Sequence, residues 1–198
     1  MAIDYLFFAT RTSTPTVSSV LKVKWIMPEI NWVKLNTDGS PFGNPGLAGG
    51  GGIIWDHNGA WILAFSRAIG STTSVTMELW NLRDGLKLCL DLYLYAVEVD
   101  VDALLVVNWV SNPNCINITH SSLIMDCREL LNLIPQVKVK HCYHEANQCA
   151  DFLAKHGATS QKDFIIFNSP LLNYVYSFFM ILLVCILIGL TLLLTLLN

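Results

Sequence analysis

Apolar and polar residues alternate from Trp32 to Asp38, and alternation at every second position marks a half-buried strand. A turn-rich connection, Gly39 to Gly46, follows and contains Asn44, Pro45 and Gly46 in succession. The segments Gly51 to Asp56 and Ala60 to Ser66 flank His57, Asn58 and Gly59. They predict a hairpin, because an Asn-Gly pair supplies the positive φ that tight hairpin turns need. From Val75 to about Leu92 the residues Leu79, Leu82, Leu86 and Leu90 recur at helical spacing, despite Gly85. Tyr95 to Val101 alternates again, with Val97, Val99 and Val101 on one face and Glu98, Asp100 and Asp102 at the complementary positions. A helix from Ala103 to Val110 is expected next, with Asp102 placed to cap it. Another is expected from His120 to Leu133, ended by Pro135. Val137 to His141 reads as a fifth strand, and Ala146, Cys149, Ala150, Leu153 and Ala154 mark the apolar side of a last helix. The order βββαβααβα predicts an α/β domain, a five-stranded mixed sheet with flanking helices.

The C-terminal end departs from this pattern. No charged side chain occurs from Phe164 to Asn198, and Tyr174 to Leu197 is almost wholly apolar. As a helix that stretch would be about 36 Å long, against roughly 30 Å of bilayer hydrocarbon. It accounts for a mean hydropathy of +0.48 and for only 14% charged residues, and it has no polar face to turn toward water. The expectation is a transmembrane helix over 171–198. Lys155 and Lys162 on its domain side favour a single-pass C-terminal membrane anchor with a cytosolic domain. If the tail were a gene-model artefact, the domain would instead be soluble, in nucleus or cytosol. The expected division is a disordered leader at 1–24, a folded domain at 25–158, a linker at 159–170 and the hydrophobic tail at 171–198, in a chain expected to be monomeric.

Charge and cysteine usage narrow the function. A net charge of −3 excludes broad electrostatic capture of nucleic acid, so any such site must be local. The six cysteines form no CxxC pair and no zinc-type His/Cys spacing, which argues for reduced thiols rather than structural zinc. The run Gly49 to Gly52 is not a phosphate loop, since no Gly-Lys-Ser/Thr follows and it leads into a strand.

Four carboxylates stand out by position: Asp38 ending the first strand, Glu78 in the first turn of the long helix, Asp102 ending the fourth strand and Asp151 in the last helix. Hydrolysing a phosphodiester at neutral pH needs an activated water and a stabilised leaving oxygen, and two divalent cations supply both. Hard cations such as Mg²⁺ are held by carboxylate oxygens. Glu98, Asp100 and Asp102 also put three like charges on one strand face, which a cation would relieve. The competing explanation is a solvated edge whose charges discourage aggregation.

The blocks Trp32 to Ser40, Gly43 to Ile54, Asp56 to Gly59, Glu78 to Leu82, Glu98 to Ala103 and His141 to Lys155 occur in an order that resembles the plant ribonuclease H-like family. That family resembles domesticated relatives of the ribonuclease H domain of non-LTR retroelements. The resemblance covers about Trp25 to Lys155 and implies a type 1 ribonuclease H fold. It implies that Asp38, Glu78, Asp102 and Asp151 bind two Mg²⁺ or Mn²⁺ ions, with RNA–DNA hybrid as substrate. It makes His141, ten residues before Asp151, an aid to proton transfer or product release, and Asn147 a contact to the hybrid. Asp102 rather than Asp100 is assigned as third acid from the family pattern; strand alternation excludes a one-residue error but not a two-residue one. Three positions depart from the pattern. Met77 and Asn81 replace small alanines around Glu78, and His144 replaces a common arginine, losing a permanent positive charge. The function expected is metal-dependent endonucleolytic hydrolysis of the RNA strand. The alternative is a noncatalytic ribonuclease H-like module that binds nucleic acid or protein at a membrane.

Overall fold

The three alternating segments at the start of the domain pair as an antiparallel meander, β1 (Val33–Gly43), β2 (Gly46–Trp55) and β3 (Trp61–Thr72). They belong to a computed structural model that describes residues 23–43, 46–115, 117–160 and 162–169. At the β2–β3 turn, Gly59 has a φ of 74° and donates its N–H to the Asp56 carbonyl at 3.0 Å, as the Asn-Gly pair leads one to expect. Helix α1 (Ser74–Asp91) then carries the chain across the sheet to β4 (Ala96–Val101). After α2 (Leu104–Ser111) and α3 (Ser121–Leu133) comes β5 (Gln136–His141). A 3-10 turn (His144–Ala146) leads into α4 (Gln148–Ser160), and β6 (Ile165–Phe167) ends the described domain. The strand order is β5-β4-β1-β2-β3-β6. β4 pairs in parallel with β1 and β5, and β6 pairs antiparallel with β3.

Four expectations need correction. The sheet has six strands, not five. The added β6 is a three-residue edge strand too short to show alternation, and it lies in the stretch expected to be linker. The Gly39 to Gly46 connection is not a long turn: β1 and β2 stay paired to Gly43↔Gly46, since a second strand alongside satisfies the backbone whatever the side chains are. Asp102 does not cap α2, whose N-cap is Ala103 without a side-chain hydrogen bond. The expected transmembrane helix, and the membrane localisation built on it, are not retained. Among the described residues no helix is long and apolar enough to cross a membrane. The longest, α1, carries Glu78, Arg83, Asp84, Lys87 and Asp91. The 171–198 segment lies outside the described residues, as does the 1–22 part of the leader. Hydropathy shows only that a segment could span a bilayer if helical, which is not enough to place one there.

Two cores sandwich the sheet. On one face Leu35, Val97, Val99 and Val101 pack beneath α1, α2 and α3 with Leu79, Leu82 and Leu86. The Arg128 guanidinium on α3 donates to the carbonyls of Trp109 in the last turn of α2, its C-cap Asn112 and Cys115 beyond, which fixes the two helices together. On the other face α4 lies over β1, β2 and β3, with Leu153 against Ile53, Trp55, Ala64 and Phe167.

The glycine run explains how α4 comes so close. A Cβ on Gly49 would overlap the Ala158 and Ala154 backbone, and one on Gly51 would overlap that of Leu153 and Ala154. On the opposite face a Cβ at Gly50 would collide with the Asn81 side chain. These glycines therefore serve packing on both faces of β2 rather than phosphate binding. Gly51→Ala should lower stability by about 1–3 kcal/mol, the usual cost of overpacking a tight core. Urea denaturation measures it, and an unchanged midpoint would mean that α4 does not sit this close to the sheet.

Candidate active site

Parallel pairing of β1 with β4 decides which acids meet. Thr37 pairs with Val101, so the next residues, Asp38 in the middle of β1 and Asp102 just past the end of β4, emerge side by side where the pairing of these two strands stops. Glu98 and Asp100, earlier on β4, are neutralised. Lys34 Nζ lies 2.9 Å from Asp100 Oδ2 and 3.7 Å from Glu98 Oε2, while Lys140 Nζ lies 3.0 Å from Glu98. Trp25 closes over this ion cluster, with the Lys34 ammonium 5.7 Å from its ring centroid and its indole N–H donating to Asn36 Oδ1 at 3.1 Å. The like charges on β4 are thus relieved by lysines of flanking strands, not by an ion or by solvent, and only Asp102 escapes that pairing.

Asp38 is 4% exposed and accepts the Gly39 N–H at 2.7 Å. Burial, then Asp102 and Asp151, push its carboxyl up to about 8. Glu78, one turn into α1, sits beside it, and burial, then Asp38 and Asp102, hold its carboxyl well above the ordinary value. Its Oε2 is sealed from solvent with no hydrogen-bond partner. Asp151 reaches the cluster from the first turn of α4, its Oδ2 2.6 Å from Lys155 Nζ one turn further on. Donor atoms of Asp38, Asp102 and His144 lie within 4.8 Å of one another. Four carboxylates from β1, α1, the end of β4 and α4 therefore converge, and the two whose carboxyls are raised, Asp38 and Glu78, lack a full counter-charge. An unpartnered buried carboxylate oxygen among raised acids fits a site for divalent cations, which supply the missing charge.

The other expected residues fall differently. His141 Nε2 lies 3.0 Å from the Asp102 carbonyl oxygen, and its ring packs edge-on against Tyr143, both side chains being exposed beside the acids. Asn147 is not open to a ligand. It is 1% exposed, its amide donates to the Thr37 carbonyl at 2.9 Å, and its oxygen accepts from Asn36 Nδ2 at 3.1 Å. It ties the start of α4 to β1 next to Asp38, a positioning place rather than a contact surface.

Both departures around Glu78 are accommodated. Asn81 donates to the Asp38 carbonyl at 2.7 Å, and Met77 fills the space that a side chain at Gly39 would need. Sequence reasoning missed Lys34 and Lys155 as parts of this neighbourhood, and it read His144 only as a lost positive charge, not as a neighbour of Asp102. The i, i+4 spacing of Asp151 and Lys155 was a usable signal.

The reverse transcriptase-like family model matches residues 36–157. A protein of Arabidopsis thaliana named "Putative ribonuclease H protein" is 35% identical over 146 residues, which is 74% of this chain and 24% of that protein. The chain thus spans about a quarter of that relative's length. Among solved structures, ribonuclease H1 from Halobacterium salinarum superposes with a TM-score of 0.62 at 25% identity, covering 65% of this chain and 98% of that one. The N-terminal ribonuclease H domain of a Mycobacterium tuberculosis protein gives 0.61 at 25% identity over 65% of this chain and 94% of its own. A ribonuclease H1 from compost, solved in complex with RNA/DNA hybrid, gives 0.59 at 26% identity over 65% and 97%. The fold is therefore ribonuclease H-like.

The raised acids carry a pH signature. A carboxyl held above its unfolded value stabilises the fold fully below that unfolded value, and the contribution is lost as pH rises through the folded one. For Asp38 the window runs from about 3.8 to about 8. Free of divalent cations, the protein should melt at a lower temperature at pH 8 than at pH 5, and Asp38→Asn should flatten that slope and raise the melting temperature at pH 8. Melting that is insensitive to pH in both proteins would show that these acids do not repel.

Proposed function

The chain belongs to the reverse transcriptase-like family, and from that premise we propose that it hydrolyses the RNA strand of RNA–DNA hybrids. Asp38, Glu78, Asp102 and Asp151 are the ligands of two divalent cations in this reading. The observation that carries it is the convergence of those four acids, with Glu78 Oε2 sealed and unpartnered at its centre. Bound there, the cations would lower the pKa of an attacking water and stabilise the leaving oxygen.

The chain's own residues set up that chemistry. Asp38 on β1 and Asp102 just past β4 would hold the cation, with Glu78 from α1 and Asp151 from α4 adding carboxylates. Asn147 and Asn81 fix the backbone of Thr37 and Asp38, so the ligand oxygens do not drift. His141, exposed at the rim with its Nε2 beside the Asp102 carbonyl, carries a proton to or from the reacting groups. With a net charge of −3 the protein draws on local cations, such as Lys155 and Lys140, to meet phosphates. Discrimination for RNA in the scissile strand comes from the 2′-hydroxyl and from hybrid groove shape.

The test is a labelled RNA–DNA duplex incubated with the full chain. RNA cleavage is expected with Mg²⁺ or Mn²⁺ and none with EDTA, the DNA strand staying whole. Glu78→Gln should reduce the rate by at least about a hundredfold, on the order of the loss seen when a metal site's supporting groups are removed. His141→Ala should cost less than either Glu78→Gln or Asp38→Asn, because it assists a step that the acids make possible. Binding of the hybrid without cleavage at any cation concentration would favour a noncatalytic module instead.

A further inference from the structure

His144 opens the 3-10 turn ahead of α4, and 58% of its side chain is exposed. Its Nδ1 lies 3.4 Å from Asp102 Oδ2, and it completes a set with Asp38 and Asp102 whose donor atoms are all within 4.8 Å of one another. A direct charge-assisted N–H···O contact is usually about 2.7–2.9 Å, so the pair is loosely joined. Two ligands of one small cation, each about 2.1 Å from it, lie between about 3.0 Å apart when adjacent and about 4.2 Å when opposite. The His144–Asp102 spacing falls inside that range. Glu78 Oε2, buried without a partner beside the same acids, independently marks the place as one that wants a cation.

We propose that His144 is a nitrogen ligand of the cation held between Asp38 and Asp102, and that it makes this position favour Mn²⁺ over Mg²⁺. The inference rests on the reading of these acids as cation ligands and adds a donor to them. Mg²⁺ takes oxygen almost exclusively, whereas imidazole nitrogen suits transition-metal ions. The arginine common at this place in the family resembled by the sequence could not act in this way, because a guanidinium stays protonated and offers no lone pair. His141 is a poorer donor, since its Nε2 already lies against the Asp102 carbonyl. With Nδ1 turned to the ion, the proton of His144 resides on Nε2, toward solvent.

The experiment uses the full chain loaded with Mn²⁺ alone, read by pulsed electron paramagnetic resonance for ¹⁴N coupling and by calorimetry for affinity. The wild-type chain should show nitrogen coupling. His144→Ala should lose it and bind Mn²⁺ about tenfold more weakly, with Mg²⁺ affinity changed less than about twofold. His144→Arg should also lose the coupling, and His141→Ala should keep it. No nitrogen coupling in the wild-type chain, coupling that survives in His144→Ala, or equal weakening for both ions would overturn the proposal. The same samples assayed on hybrid separate the two readings: coupling without cleavage counts against the proposed function alone, and cleavage without coupling counts against His144 alone.

Discussion

Carboxylates brought within a few ångströms of one another in a sealed space cannot all ionise unless a positive charge joins them, and this domain handles that constraint in two ways on one strand. At Glu98 and Asp100 the positive charge is built in, from Lys34 on β1 and Lys140 on β5, beneath the Trp25 ring. At Asp102, just past the strand end, it is not. Asp38 and Glu78 are deep enough that burial alone raises their carboxyls, and their neighbours raise them further. The contrast shows that the sheet is not tolerant of buried acids in general. It withholds a lysine partner from Asp38, Glu78 and Asp102, which meet where the β1–β4 pairing stops.

Holding four repelling groups together requires a stiff frame. The β1–β4 register fixes Asp38 beside Asp102. Glycines on both faces of β2 let α1 and α4 approach the sheet closely, which places Glu78 and Asp151 within electrostatic reach of Asp38. Buried amides complete the frame: Asn81 from α1 and Asn147 at the start of α4 each bond a backbone carbonyl at or next to Asp38. Side chains that replace the small residues expected near Glu78 therefore act as braces rather than as faults.

Much of this frame is legible in the amino-acid sequence alone. Alternation marks the β-strands and the 3.6-residue period marks α1, because one face of each element packs against the core while the other does not. The four acids can be picked out by position and resemblance. What stays hidden depends on pairing between distant segments. Lys34 and Asp100 are 66 residues apart and form a buried ion pair that no local pattern reveals. Asn147 reads as a ligand contact, yet its neighbours across the sheet make it a tie. The Gly49–Gly52 run can be denied a phosphate role from its flanks, but its purpose emerges only with α4 packed against it. The tail shows the converse: an apolar run long enough for a bilayer is a statement about length, and no described helix supports the span read into it.

The functional reading stands or falls on the proposal that a divalent cation fills the gap in charge between Asp38, Glu78 and Asp102. Crystals of the protein grown or soaked in Mn²⁺ and measured for anomalous scattering test it most directly. A peak is expected within about 2.5 Å of carboxylate oxygens of Asp38 and Glu78, on the side facing Asp102. A peak only at surface acids such as Asp126 and Glu129, or none at all at millimolar Mn²⁺, would contradict it.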